Sequence, residues 1–456
     1  MRDILIVVLV LAGSLAALRR PWVGILVWTW LSVMNPHRYA YGFAFDAPLA
    51  AMAAACTLFG LLFTKDKESP FQGAPVLMFT LFTVWATISW LAGLDPEEDY
   101  WQWNKVIKIN LMVLVALALM RSKTQIMLLA WVAIGSLGLL GSKGGIFTIA
   151  NGGSYRVWGP PDSFIADNNE FALALIMTVP LLRFLQLQVP TENKWFRRAL
   201  TCAMLFCTAS AFGSHSRGAL LAGAAMAMFF WWKGKNKLGV GIGVLVVVVG
   251  MVGFMPDEWT QRMNTIDNYQ EDDSAMGRIN AWWVAWRVAS NYPFGAGFNV
   301  ARPSLFTQYA PDPTGIHAAH SIYFQTLGNH GFVGLFLYLL IWLTTWRFAT
   351  GLRKAAFDIP EARWCVDLAS MTQVSLLAFL VGGAFLSLAY FDLPYYLMVL
   401  VVTARIWVQR KSWQNEPKEM SRWQRVLGLA DSAQSSVSPA VSTIGSITGT
   451  SRGPHP

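Results

Sequence analysis

The sequence predicts an all-α polytopic membrane protein of about twelve transmembrane helices, with a large non-cytoplasmic loop that itself contains helices. Three observations predict it. The 456 residues are 55% apolar and only 13% charged, with a mean hydropathy of +0.42; soluble domains carry roughly 25% charged residues. Apolar runs able to enter a bilayer recur along most of the chain. Basic residues concentrate in every second connection between those runs. The balance of 35 Lys+Arg against 26 Asp+Glu gives +9. In a soluble protein that excess would suggest nucleic acid. Here it is a topology signal, and no nucleic-acid partner is expected.

The apolar runs lie at about 3–18, 21–35, 46–63, 73–93, 104–120, 124–141, 169–187, 197–213, 217–232, 238–255, 330–349, 367–388 and 393–409. Arg2 followed by Ile4–Leu18 has the look of a signal peptide, but Arg19-Arg20 and a second apolar run follow at once, so it reads as a membrane segment. The first two runs are short. At about 1.5 Å per residue neither comfortably spans a core of about 30 Å, so they are expected to form one broken crossing.

Positive charge orients the rest. Arg405, Arg410, Lys411, Lys418, Arg422 and Arg425 put the C-terminal tail in the cytoplasm. Counting back, the cytoplasmic connections hold Arg353, Lys354 and Arg363; Lys233–Lys237; Lys194, Arg197 and Arg198; Arg121 and Lys123; Lys65 and Lys67; and Arg19 and Arg20. The intervening ones include the acidic run Asp95–Asp99. The longest connection, about Pro256 to Asn329, therefore faces outward, as do the 142–168 loop and the tight turn Ser214–Arg217. Within the long loop Ser274–Asn291 reads as an amphipathic helix with Trp282, Trp283 and Trp286 on or near one face, and Tyr292–Phe298 as a turn. Four regions follow: an N-terminal bundle over 1–255, the outer loop over 256–329, C-terminal transmembrane helices over 330–410, and a cytoplasmic tail over 411–456 whose Ser, Thr, Gly and Pro content predicts disorder beyond Asp431.

Basic residues on the outer side run against the positive-inside tendency and so invite a function. They are Lys105, Lys108, Lys143, Arg156, Arg217, Arg278 and Arg287. Several of them around one cavity would suit an anion, and Arg suits a diphosphate because its planar fork donates two parallel hydrogen bonds. Lipid phosphates or loop carboxylates account more simply for Lys105, Lys108 and Arg287. Arg217 differs, because a charge in the short hairpin Gly213–Gly218 at the start of an apolar helix must face a cavity or the interface. Three of six histidines fall within Gly315–Gly331: His317, His320 and His330. Histidine suits general-base work near neutral pH. His317 and His320 are three apart, a spacing that would let them share a face if the segment were helical, but no clear third ligand is spaced for a metal site. The acidic runs Asp95–Asp99 and Glu271–Asp273 read as solvated loop charge. Cys56, Cys202, Cys207 and Cys365 lie in or beside apolar runs and read as small buried hydrophobes. No metal and no cofactor is expected.

His320-Ser321-Ile322-Tyr323-Phe324-Gln325, leading to Gly331-Phe332-Val333-Gly334-Leu335, resembles the signature of the O-antigen ligase and polymerase superfamily. Ser216-Arg217-Gly218 resembles its Ser-Arg-Gly element. Arg278, Trp282 and Pro293-Phe294-Gly295-Ala296-Gly297-Phe298 resemble its Arg…Trp…Pro-x-Gly-x-Gly-Phe element. The resemblance covers about 140–400, and the preceding stretch is similar to ligase-like proteins found near exosortase systems. It implies a GT-C-like fold and a metal-independent, inverting glycosyltransferase in the bacterial inner membrane with a periplasmic active site. The donor would be a glycan on undecaprenyl diphosphate and the acceptor the lipid A core, with membrane lipids around both. By the same resemblance Arg217 and Arg278 would hold the diphosphate and His320 would activate the acceptor hydroxyl. His317 is an alternative base. Arg156 and Glu170, in a segment loosely similar to the family's Arg…Asn element, are secondary substrate contacts, with Lys143 beside them. An O-antigen polymerase or a protein O-oligosaccharyltransferase would share the donor. A membrane transporter is the alternative of another class, though no internal repeat supports it.

Overall fold

The computed structural model describes residues 2–233, 237–257, 259 and 273–416. Glu271 and Asp272 of the acidic run, Lys235, and the tail beyond Glu416 lie outside the described residues. The described residues form helices and no strands. In chain order these are α1 (Arg2–Arg19), α2 (Pro21–Met34), α3 (Leu49–Phe63), α4 (Ala74–Leu91), α5 (Pro96–Leu119), α6 (Lys123–Ala150), α7 (Asn168–Gln188), α8 (Lys194–Gly213), α9 (Arg217–Lys233) and α10 (Lys237–Phe254). After them come α11 (Asp273–Asn291), α12 (Pro303–Tyr309), α13 (Ile322–Ala356), α14 (Arg363–Gly382) and α15 (Asp392–Gln409). Among the described residues six segments are long and apolar enough to cross a membrane: α4, α5, α6, α7, α13, and Pro360–Phe385 around α14. The protein is a polytopic membrane protein on that ground; the expected count of about twelve crossings is not reached by these helices alone.

Several helix starts follow from their capping residues. Asp95 accepts from the Glu98 N–H at 3.0 Å ahead of α5, and Ser122 with Gln125 makes a capping box ahead of α6. Asp167 caps α7 and Ser321 caps α13. Two helices are buried nearly throughout, α7 and α15, and the others wrap them: α8, α14 and α6 against α7, and α13, α14, α6 and α5 against α15.

The first two runs do not join into one crossing. Gly13 lies against Val27, and Gly24 against Ala17, so α1 and α2 run antiparallel as a hairpin. The Asp3 carboxylate accepts the N–H groups of Gly42 and Ala44, which returns the chain after α2 to the end where α1 began. The cause lies in the sequence. Pro21 disfavours helical geometry at the residue before it, and Arg20 sits at φ −133°, ψ 80°. Gly13, Gly24 and Gly60 then let α1, α2 and α3 approach closely, as small residues do between membrane helices.

The basic connections gather at one end of the bundle. Arg19, Arg20, Arg121 and Arg410 line a cavity of about 750 Å³ there, with Glu68 paired to both Arg121 and Arg410. The opposite end carries Arg38, Asp99, Asp162, Glu170, Arg302 and His320. At that end the 292–301 segment folds back on the bundle. Leu94 donates to Ala296 O at 3.1 Å, while Ala296 and Gly297 donate to the carbonyls of Gly328 and Asn329, each at 2.9 Å. Gly331 breaks α13 at φ 68°, ψ −173° into a short leg over 322–330 and a long one beyond. Only glycine serves at this break, because a Cβ there would overlap the Pro293 carbonyl oxygen.

Candidate active site

The site is built on the start of α7. Asp167 accepts from the Asn169 backbone and side-chain nitrogens, both at 2.9 Å, and so fixes the first turn. Asn168 donates to Ser214 O at 2.6 Å. The α6–α7 loop reaches the same hairpin, with Val157 N donating to Gly213 O at 3.2 Å and His215 Nε2 lying 2.9 Å from Gly153 O. These bonds seat the Gly213–Gly218 hairpin on α7 and carry Arg217, the first residue of α9, to the same corner. Gly218 abuts Phe385 and Leu386. The neighbouring Ser387 N–H donates to Glu170 Oε1 at 3.2 Å.

Glu170 faces His320. Its Oε1 is 3.5 Å from His320 Nδ1, with the carboxylate 6% and the imidazole 33% exposed. Glu170 Oε2 is buried and makes no hydrogen bond within the protein. Burial pushes the neighbouring Asp167 carboxyl up, but hydrogen bonds from the Asn169 backbone and side chain and the charge of His320 help to outweigh it and hold the group below its ordinary range. His320 stands at φ 40°, a left-handed conformation uncommon for a non-glycine residue. The surroundings hold it there. Trp282 Nε1 donates to Ala319 O at 2.7 Å and its ring stacks on Phe324 at 4.8 Å, while Ser321 caps the helix that follows. Backbone strain of this kind gathers at functional sites.

Residues 202–339 match the family model described as O-Antigen ligase, a span that contains Arg217, Arg278 and His320. That match, over less than half of the chain, supports membership in the O-antigen ligase superfamily. Residues 1–189 match a family of unknown function, DUF5935. No curated protein matches the chain. The superfamily carries with it a glycosyltransferase-like activity on lipid-linked glycans, with a lipid acceptor in general terms.

The O-antigen ligase domain and its neighbours distribute the expected residues unevenly. His320 and Glu170 are paired, and Arg217 enters the same corner. Arg278 lies on α11 one turn before Trp282, on the face that holds Ala319. His317 does not share a helix face with His320. Residues 311–320 form a loop, and His317 packs over Gly277, beside Arg278. The physical reason is that Asn280 claims the loop's backbone, bonding Asp312 O at 2.7 Å, Gly315 O at 2.9 Å and Asp312 N at 2.9 Å. Arg156 is exposed next to Val157 at the edge of the hairpin. Lys143 lies elsewhere: its Nζ sits 4.4 Å from the Tyr39 ring. Among the described residues no three His, Cys, Asp or Glu side chains group closely enough to share a metal ion.

Two polar assemblies were invisible to motif reading. Arg302 Nη2 meets Asp99 Oδ1 at 2.6 Å while Asp99 Oδ2 accepts the Phe298 N–H at 2.7 Å. Asn329 bonds Val300 N, Phe298 O and Tyr390 OH, and the Tyr390 hydroxyl lies 2.8 Å from His330 Nε2. His330 is fully buried in this assembly, so it supports the turn. The only sequence signal for either was the presence of ionisable or amide residues beside the glycine-rich turn. An aromatic groove of about 500 Å³, lined by Ile279, Trp282, Trp283, Trp286 and Phe324, runs alongside the His320 segment.

Proposed function

We propose that the chain transfers an O-antigen glycan from undecaprenyl diphosphate to a sugar of the lipid A core, at the periplasmic face of the inner membrane, by an inverting mechanism that uses no metal. The observation that carries this reading is the His320–Glu170 pair, within a corner that Arg217 enters and α11 borders. Glu170 Oε1, 3.5 Å from Nδ1, favours a proton on that nitrogen, which leaves Nε2 to take the acceptor proton. As that proton moves to Nε2, the acceptor oxygen bonds to the anomeric carbon. The bond from that carbon to the diphosphate oxygen breaks, and undecaprenyl diphosphate leaves with the electron pair. Arg217 and Arg278 stabilise the charge that develops on it. Between the two candidate bases the reading favours His320, because its Nδ1 lies 3.5 Å from the buried Glu170 carboxylate, whereas His317 packs on Gly277. The aromatic groove next to the site suits the isoprenoid chain of the donor.

The test uses purified protein in nanodiscs with undecaprenyl-diphosphate-linked glycan, lipid A core and excess chelator. Wild type is expected to glycosylate the core. His320→Ala is expected to lose about 10²–10⁴-fold in rate while remaining monodisperse, and Arg217→Ala to lose transfer as well. Transfer retained by His320→Ala sinks the base assignment. A product that is a longer lipid-linked chain, or a glycoprotein, replaces the acceptor.

A further inference from the structure

A second cavity opens at the same end of the bundle as His320, between the end of α2, the start of α3, the start of α5 and the 162–164 segment, with a volume of about 580 Å³. That is within the roughly 300–1,000 Å³ usual for ligand clefts. Apart from Asp392 it is lined by residues of the N-terminal region, which matches only a family of unknown function.

Its charges are balanced and largely engaged. Arg38 lies 3.4 Å from Asp162 and over the Phe45 ring at 4.9 Å. Lys105 donates to Asp162 O at 3.0 Å and sits 4.1 Å from the Phe164 ring. Three cations line the walls (Arg38, Lys105, Lys108), and so do three carboxylates (Asp46, Asp162, Asp392). An anion gains little from such a set. Unmet hydrogen-bonding capacity is nonetheless built in. Asp392 is 2% exposed, its Oδ2 takes the Ser32 hydroxyl, and its Oδ1 makes no hydrogen bond within the protein. His37 Nδ1 is buried in the same state. Burial, with the Arg38 charge beside it, holds the His37 imidazole down at about 4, so it is neutral and able to hydrogen-bond at working pH. Gln102 and Asn104 supply amides, and Trp101, 80% exposed, stands at the rim. Carboxylate, imidazole and amide groups beside aromatic faces match a ligand with hydroxyls around its edge and C–H faces above and below.

We propose that this cavity binds a neutral, hydroxyl-rich saccharide, the sugar of the acceptor, and this rests on the glycosyl-transfer reading above. Two chain segments link the cavity to the active site. Asp162 is in the loop that ends at Asp167, and Asp392 follows the segment whose Ser387 N–H bonds Glu170.

The experiment is saturation-transfer NMR on the full chain in nanodiscs, with lipid-free core oligosaccharide as the probe and inorganic phosphate as competitor. Asp392→Asn and Trp101→Ala are compared with wild type; Trp101 is exposed, so its removal leaves the fold intact. Binding that weakens about tenfold in both variants, with no displacement by phosphate, is the expected result. In the transfer assay the same variants should raise KM for the acceptor about tenfold, with kcat and the donor KM within about twofold. Unchanged probe binding in both variants, or displacement of the probe by phosphate, overturns the proposal. If wild type transfers to no acceptor, the glycosyl-transfer reading fails, and the binding measurement still decides whether the cavity takes saccharide.

Discussion

Arg302→Met is the sharpest structural test of how the outer segment is held. The Arg302–Asp99 pair has side chains only 7% and 1% exposed, with Nη2 to Oδ1 at 2.6 Å. Arg302 also donates to Asp95 O at 3.3 Å, and Glu98 stands 3.8 Å away but is 56% exposed, so it is no substitute partner for Asp99. Removing the guanidinium leaves a carboxylate buried without its cation, which costs about 3–5 kcal/mol. The cost falls on the 293–303 segment, because Asp99 Oδ2 is what Phe298 N–H donates to. The measurement is hydrogen exchange on a peptide spanning 293–303. Protection should fall by about two to three and a half powers of ten in Arg302→Met. The double variant Asp99→Asn/Arg302→Met removes both charges and keeps an acceptor for Phe298. It should stay within about 1.5 kcal/mol of wild type, roughly tenfold. Equal exchange in the single and double variants, or none gained in the single, would refute the reasoning that an uncompensated buried charge dominates here.

Three further outcomes are expected. Gly331→Ala should destabilise the protein by about 2 kcal/mol or more, since alanine would be forced to φ 68° against the Pro293 carbonyl; thermal unfolding in detergent reads it. Glu170→Gln should lower kcat for transfer about tenfold to a thousandfold with little change in donor KM, because it leaves His320 in place and removes the charge that orients it; Glu170→Asp should recover part of the loss, and unaltered kcat in Glu170→Gln would count against the pair. His37 titrates at about 6.5 when unfolded and about 4 when folded, so between those values the unfolded chain binds more protons, and stability falls as pH drops from about 6.5 to about 4. His37→Gln should flatten that slope in a pH series of unfolding temperatures.

Much of the fold was legible in the chain because a bilayer imposes a long apolar period on each helix. The capped starts at Asp95, Ser122 and Asp167 and the break at Arg20-Pro21 are local chemistry, written within a few residues. The hairpin of α1 and α2 was written there too, in Pro21 and in Gly13 and Gly24; reading the segments by length alone missed it. The site was legible in parts. His320, Arg217 and Arg278 each sit in a recognisable short motif. Glu170 was readable only as a secondary contact, and Lys143, chosen for its side of the bundle, turned to Tyr39 instead.

Composition and the spacing of apolar runs thus determined by themselves that this is a helical membrane protein, and three short motifs pointed to the superfamily whose model matches residues 202–339. Both are properties of neighbours in sequence. The tertiary structure alone decided which of those motifs meet. Glu170 and His320 are 150 positions apart, and Asp99 and Arg302 are 203 apart. Nothing local couples such residues. They meet because buried α7 and the kinked α13 pack into one bundle, and because low-dielectric packing requires each charge withdrawn from water to find a partner.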